Sequence, residues 1–253
     1  MCTNTNRCPR CLSTNIKKNG FTSQLKPCNK CKDCQYKFVK DGQNWYIDIP
    51  DKELIKRMLL ERISLRGICR VMQISKTWLL TYIRELYAEL PTDLNFKWVF
   101  KKVFHKGSFY IKMIDNEVDE LWSFVSNKDN VKYVWIVMHR QSRQIIAFEV
   151  GDRSAETAKK LWDKIPEFIK KYGFFHTDDW SSYKVVIPAE QHQYCTIKKY
   201  TNHIERFNCT LRQRVSRLVR LALSFSKDLD NHIGAIAYFI CDYNKQMQNL
   251  IAP

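Results

Sequence analysis

Two short cysteine knuckles near the N-terminus set the tightest limit on what this chain can fold into. Cys8-Pro-Arg-Cys11 is one C-x-x-C turn, and Cys28, Cys31 and Cys34 offer two overlapping versions of a second. With Cys2, six of the ten cysteines fall within the first 34 residues. In a reducing cytosol, clustered cysteines point to metal before disulfide. A zinc ion takes four tetrahedral thiolates, and two knuckles joined by a hairpin supply them. Cys8, Cys11, Cys31 and Cys34 are the expected ligands of one structural Zn2+, because the second knuckle then runs directly into the alternating strand QYKFV. Cys2 and Cys28 are then spare. Asn19-Gly20 predicts the turn of the hairpin between the knuckles. A segment of this size has no core of its own, so the metal would supply folding energy. Residues 1–45 therefore read as a zinc ribbon.

The charge is as informative as the cysteines. The net charge is +16, and residues 1–50 alone carry nine basic against three acidic residues. That balance favours nucleic acid as the partner over an anionic membrane. The longest apolar run, Ile233–Cys241, is far too short to span a bilayer. The N-terminus has no apolar signal region, so a cytoplasmic location is expected. Hydrophobic residues make up 45% of the chain, enough for at least one real core.

Gly42 to Pro50 reads as a linker, after which the period becomes helical. DKELIKRMLLER predicts one helix, Ser64 caps a second, and Ser75 caps a third with its stripe at Leu79, Leu80, Ile83, Leu86, Tyr87 and Leu90. A short helix, a tight turn at Met72–Ser75 and a longer helix form a helix-turn-helix pattern over residues 46–95. Lys76, Thr77, Trp78, Thr81 and Arg84 fall on the exposed face of the third helix, where a recognition helix meets the major groove.

Pro91 to Lys106 reads as a second connector, and residues 96–253 as a third module. Its strands are expected at Phe109–Val125 (one or two), Lys132–His139, Gln144–Val150, Phe174–Thr177 and Tyr194–Ile197. A helix is expected at Ala155–Tyr172, stopped by Gly173, with others from Ser181, around Glu205 and near Ala235–Asn244. This is a mixed α/β order. No glycine-rich phosphate loop or dinucleotide fingerprint occurs, which counts against nucleotide cofactors, and no nucleophile elbow supports a serine hydrolase.

Within this module an apolar run ends on Asp178 and Asp179, at the carboxyl end of a strand, where α/β sheets place ligands. Alternation puts Glu117, Asp119, Leu121 and Val125 on one face of the first strand, leaving Asp115, Glu117, Asp119 and Glu120 as candidates for a second carboxylate. The third is Glu205. From Lys198 to Arg220 it is the single acid among seven Lys or Arg. A lone carboxylate there repels the polyphosphate its neighbours attract, a conflict resolved by a divalent cation between them. Arg212 lies two turns further along the same helix face, while Ile204, Phe207, Leu211, Val215 and Leu218 face the core. His176 reads as a strand residue and His203 as a phosphate contact. Cys195, Cys209 and Cys241 read as core thiols, and Trp122, Trp135, Trp162 and Trp180 as packing residues.

At these residues the chain resembles a known family. VDELWSFV, HTDDWSSY, KKYTNHIERFNCTLRQRVSRL and LSFSK look like the DDE transposases of the insertion-sequence-one family, and the CPRC…CKDC ribbon and helix-turn-helix resemble that family's DNA-binding part. Here the two parts are continuous, as in single-frame members. The resemblance implies a ribonuclease H-like core in a prokaryotic cell, with Asp119 (VDELW), Asp178 (TDDW) and Glu205 (NHIERFN) holding two Mg2+ or Mn2+ ions. It also implies a basic residue at Arg212, binding of terminal inverted repeats and target double-stranded DNA, strand cleavage and transfer, and a homo-oligomer on DNA. Asp179 stands where the family pattern usually has glycine, and Asp178 and Glu205 are somewhat further apart than in the archetype, which keeps Asp179 open as the ligand. A non-catalytic DNA-binding regulator and a metal-dependent nuclease or resolvase are the alternative functions.

Overall fold

The computed structural model describes residues 7–21, 26–39, 47, 49–98, 102–105, 108–111, 114–178, 180–194, 200–219 and 224–251, with backbone alone at 102–105, 108–111 and 251. Cys2, Asp179, Cys195 and residues 42–46 and 48 of the expected linker lie outside the described residues. The chain divides into two compact units, Met1–Leu54 and Ile55–Pro253.

The first unit is a three-stranded antiparallel sheet of β1 (Ile16–Phe21), β2 (Pro27–Cys31) and β3 (Lys37–Val39). Its small core is Cys8, Cys31 and Phe38, flanked by Ile16 and Cys34. Asn19-Gly20 does not form the hairpin turn expected of it. Strand β1 runs through both residues, and Gly20 (φ +71°) sits where the β1–β2 register slips between Lys18 and Phe21. The left-handed backbone that only glycine adopts freely here serves a bulge.

Helix α1 (Ile49–Leu59) leads into the second unit, where α2 (Leu65–Met72) and α3 (Lys76–Ala88) follow. The two predicted caps form as expected. Ser64 Oγ accepts the N–H of Gly67 at 3.0 Å, and Ser75 Oγ that of Trp78 at 3.1 Å. Gln73 takes the left-handed conformation that turns the chain between them. Ile68, Leu79 and Ile83 are fully buried.

The segment expected to connect to the third module instead contains β4 (Lys102–His105), paired antiparallel with β5 (Ser108–Ile111) as a separate two-stranded sheet. Then comes a five-stranded mixed sheet of β6 (Ile114–Phe124), β7 (Val131–His139), β8 (Ile145–Gly151), β9 (Gly173–Thr177) and β10 (His192–Tyr194), in the order β10-β9-β6-β7-β8. β6, β7 and β8 are an antiparallel meander, whereas β9 runs parallel to β6 and β10 parallel to β9. β7 reads as one apolar run because both of its faces are covered.

The single helix expected over 155–172 is two, α4 (Ala155–Asp163) and α5 (Glu167–Tyr172), broken at Pro166, which has no N–H to continue the ladder. Gly173 ends α5 in extended backbone (φ −89°), not as a left-handed stop. It is needed for space, since a Cβ there would lie 2.5 Å from the Ile169 carbonyl oxygen and 2.8 Å from Asn116 Nδ2. Helix α6 (Ser181–Val186) follows β9, and β10 ends at Tyr194, where the strand expected at 194–197 begins, residues 195–197 lying outside the described residues. Helices α7 (Asn202–Arg214) and α8 (Leu229–Ile251) complete the unit, α8 being much longer than its predicted centre.

The sheet separates two apolar layers. Val118, Trp135, Val137 and Phe175 meet Leu161, Ile169 and Tyr183 of α4, α5 and α6 on one face. On the other, Leu121, Val134, Ile136 and Met138 meet Ile204, Phe207 and Leu211 of α7 and Ile236, Phe239 and Ile240 of α8. Leu60 and Leu94 join this second cluster, and Tyr87 of α3 packs against it. Tyr87 fits because residue 234 of α8 has no side chain: a Cβ on Gly234 would stand 2.2 Å from the Tyr87 ring. Gly234→Ala should therefore destabilise the unit by about 1–3 kcal/mol through overpacking. Denaturant unfolding measures this, and Tyr87→Leu in the same chain should restore most of the loss.

Candidate active site and metal centre

In the first unit the sulfurs of Cys8, Cys11, Cys31 and Cys34 all lie within 4.8 Å of one another. Cys8 Sγ is 3.5 Å from Cys34 Sγ, and Cys11 Sγ is 3.6 Å from Cys31 Sγ. A ZnS4 tetrahedron has sulfur–sulfur edges of about 3.8 Å, given Zn–S bonds of about 2.3 Å. The donors thus fit the ion, and the buried cluster suggests a structural zinc site. The N–H of Arg10 points at Cys8 Sγ at 3.4 Å. The N–H of Cys34 helps bring the Cys31 thiol down to about 7, whereas Cys11, against the pull of the Ser13 backbone, is pushed up to about 12 by the neighbouring thiols and burial. Cys28 is left outside, its thiol on the Asn29 carbonyl at 3.7 Å. Asp33 braces the second knuckle by accepting hydrogen bonds from Ser13 and Asn15.

In the second unit the acidic residues converge where β6 and β9 part. The parallel pairing ends at Glu117↔His176. Extending that register by two residues brings Asp119 beside Asp178, the first residue past the end of β9. Helix α7 crosses the sheet face that carries Asp119 and is anchored on both sides of Glu205. Before it, Glu117 Oε2 accepts the backbone N–H groups of His203 (3.0 Å) and Ile204 (2.9 Å). After it, Asn208 Nδ2 donates to Asp119 Oδ2 at 2.8 Å. Glu205 Oε1 itself accepts from Thr201 Oγ1 at 3.2 Å.

Asp119 feels the other two carboxylates. Burial, then the charges of Asp178 and Glu205, push Asp119 up to about 6, although the Glu120 N–H and Asn208 pull the other way. Among the described residues only the four thiols gather all their ligand atoms within 4.8 Å, so the carboxylates stand in a more open arrangement. An all-oxygen set of carboxylates is the donor chemistry that Mg2+ and Mn2+ take, and the residues fit such ions on that ground.

The neighbouring acids have other duties. Glu117 is fully buried, with Arg140 Nε 3.4 Å away. Asp115 meets His176 Nε2 at 3.3 Å, and His176 stacks on Tyr200. Glu120 points to the opposite face of the sheet, where Arg153 stands 3.6 Å away.

On α3, Lys76, Thr77, Thr81 and Arg84 are exposed, and Trp78 is half-buried against Tyr82. Arg84 also lines a cavity of about 870 Å³ between α3, α8 and the edge strand β8. Arg212 is half-buried on α7. Cys209, read from sequence as a core thiol, is exposed: it lies on the outer side of α7, away from Phe207 and Leu211, whereas Cys241 is buried. Arg153 and Asn208 were not singled out by sequence. Asn208 follows Glu205 by three positions, a helical spacing that could have revealed it, whereas nothing local marks Arg153.

Fold and site together define a mixed-sheet α/β protein that gathers acids within a strongly basic chain, which also carries a four-cysteine cluster suited to zinc. The IS1 transposase family pattern matches residues 112–247, and the chain belongs to that family. It is 36% identical over 124 residues to the insertion element iso-IS1n protein InsB of Shigella dysenteriae, an alignment spanning 49% of this chain and 92% of the relative. The insertion element IS1 protein InsB of Shigella flexneri is 32% identical with the same coverage. The IS1 4 protein InsB of Escherichia coli K12 is 31% identical over 49% of this chain and 72% of the relative. Among the described residues no helix is long and apolar enough to cross a membrane.

Two measurements follow from this geometry. Metal analysis should find one zinc per chain, lost in Cys31→Ser and kept in Cys28→Ser. Because the Asp119 pKa is raised in the folded state, metal-free protein should lose stability as pH rises from about 4 through about 6, on the order of 3 kcal/mol from this group. Below that window both folded and unfolded forms bind the proton and nothing is lost. Asp119→Asn should therefore raise the melting temperature of metal-free protein at pH 7 and flatten that slope, and saturating Mg2+ should narrow the gap to wild type.

Proposed function

We propose that the chain is a DNA transposase of the DDE type, in which Asp119, Asp178 and Glu205 hold divalent ions at a ribonuclease H-like active site. The observation that carries this reading is the upward push on buried Asp119 of β6 from the charges of Asp178, past the end of β9, and Glu205 of α7, within a chain of net charge +16. When bound, two Mg2+ or Mn2+ ions would activate a water or a DNA 3′-hydroxyl for in-line attack and stabilise the leaving oxygen. The side chains supply position. Asn208 and the Glu120 N–H orient both oxygens of Asp119, and Thr201 orients Glu205. No covalent protein–DNA intermediate is required.

Arg212 and the other cations of α7 would hold the phosphate backbone of the strand being cut, with His203 at the start of that helix. Lys76, Thr77, Thr81 and Arg84 of α3 would read the terminal inverted repeat in the major groove, assisted by the zinc ribbon's basic residues on phosphates. Joining two element ends to a target calls for at least two copies of the chain on DNA. Similarity to the insertion-element proteins named above supports the transposase reading of residues 112–247, whereas the roles given to α3 and the ribbon rest on exposure, charge and sequence pattern.

The deciding experiment incubates purified protein with Mg2+ and labelled DNA bearing its element's end, beside Glu205→Gln. Nicking at the boundary and joining of the 3′ end to target, by wild type alone, is the expected result. Asp178→Ala should cut at least 100-fold more slowly with duplex affinity nearly unchanged, since removing one charge-stabilising group typically costs a factor of about 10²–10³. Binding without cleavage in either metal, with end pairing permitted, would instead assign a regulator. Cutting of branched or unspecific DNA without joining would assign a nuclease.

A further inference from the structure

Asp178 is 55% exposed at its side chain and stands on a loop, so something must hold it if it is to bind an ion at a defined angle. Its Oδ1 accepts the backbone N–H of Trp180 at 3.2 Å. Its Oδ2 is approached to 4.0 Å by Nη2 of Arg153, from the loop between β8 and α4. The same guanidinium lies 3.8 Å from the centre of the Trp180 ring, with the Tyr133 ring at 5.5 Å. The two residues that hold Asp178 therefore also hold each other.

Arg153 is anchored from behind. Its Nε stands 3.6 Å from Oε1 of Glu120, whose side chain is only 3% exposed, and its carbonyl accepts Ser182 Oγ of α6 at 3.4 Å. Neither that Nε nor that Oε1 has a hydrogen-bond partner among the described residues. The Arg153 side chain is 35% exposed, and a long, partly screened ion pair to a buried carboxylate contributes little to folding, so stability is a poor reason for its presence. The 4.0 Å approach to Asp178 is too long for a hydrogen bond, which leaves the lone pairs of Oδ2 available to an ion.

We infer that Arg153 is a positioning residue: braced by Glu120 and stacked on Trp180, it fixes the direction in which Asp178 presents its carboxylate to the metal. This rests on the proposed role of Asp178 as a ligand. A planar guanidinium suits the task because it stacks on an indole face while its edge meets two acids; a lysine ammonium keeps the charge and loses the stacking plane.

The test titrates zinc-loaded full-length protein with Mn2+ alone, reading free ion by electron paramagnetic resonance, and measures cleavage of element-end DNA across the same Mn2+ range. Arg153→Ala should raise half-saturating Mn2+ in both assays by about ten- to a hundredfold, as loss of a ligand-orienting partner does, with duplex binding unchanged. Arg153→Lys should fall between Ala and wild type. Trp180→Phe, which keeps a ring face, should stay near wild type, whereas Trp180→Leu should resemble Arg153→Ala. The double variant Arg153→Ala/Glu120→Gln removes the stranded buried charge and should show the same shift even if the single variant folds poorly. Unchanged or tighter Mn2+ binding in the folded Ala variants would overturn the inference, since a merely structural or competing arginine gives those results. If wild type and Asp178→Asn bind Mn2+ identically, it is the underlying role of Asp178 that fails.

Discussion

The acidic centre depends on one buried carboxylate that takes no part in the proposed chemistry. Glu117 reaches from the middle of the sheet to the first turn of α7 and accepts two backbone N–H groups that the helix itself cannot satisfy. The interaction joins a negative charge to the positive end of a helix dipole in a water-poor place, where each is worth more than in solvent. Burial still pushes the Glu117 pKa upward. The contact fixes both where α7 lies and how it is rotated about its axis. With His203 and Ile204 tied down on one side and Asn208 tied to Asp119 on the other, Glu205 has little freedom in where it projects.

That arrangement gathers like charges at a cost. Asp119 is held well above the usual carboxylate range by desolvation and by Asp178 and Glu205, and Glu120 is pushed up to about 7 by burial and by Asp178. A folded chain does not ordinarily bury acids beside one another, and the interactions observed only partly offset the conflict. Arg153 meets Glu120 and Asp178, Asn208 meets Asp119, and the surrounding basic charge acts at longer range. What remains unbalanced is the negative charge that a pair of divalent ions would neutralise. The cysteine cluster presents the same logic with different donors, where four thiols without an ion would leave a small unit almost without a core.

Much of this was legible along the chain, and the reasons differ by element. The caps at Ser64 and Ser75, the apolar β7 strand and the core face of α7 follow from local propensity and period, which act within one or two turns. The pairing of knuckles is legible because a tetrahedral ion imposes spacing on the sequence itself. The failures occur where local signals compete with neighbours. Asn19-Gly20 became a bulge because the partner strand set the register. Pro166 split a helix whose apolar pattern ran on across it. Cys209 lies one position from Asn208 on α7, and that single step of rotation separates the buried face from solvent.

The sequence by itself determined the modules, their secondary structure and the short list of acids from which a site can be drawn, because these rest on composition, period and covalent spacing. Period alone could not choose among Asp115, Glu117, Asp119 and Glu120, four acids within six residues of one strand, and only the family resemblance pointed to Asp119. Tertiary structure made that division. Strand pleating sends Glu117 and Asp119 toward α7 and Glu120 toward α4 and α6, and the parallel register of β9 decides which of them has Asp178 for a neighbour. Arg153 enters for the same reason: its partners lie 33 residues before it and 25 and 27 after it, and only the folded sheet brings them together.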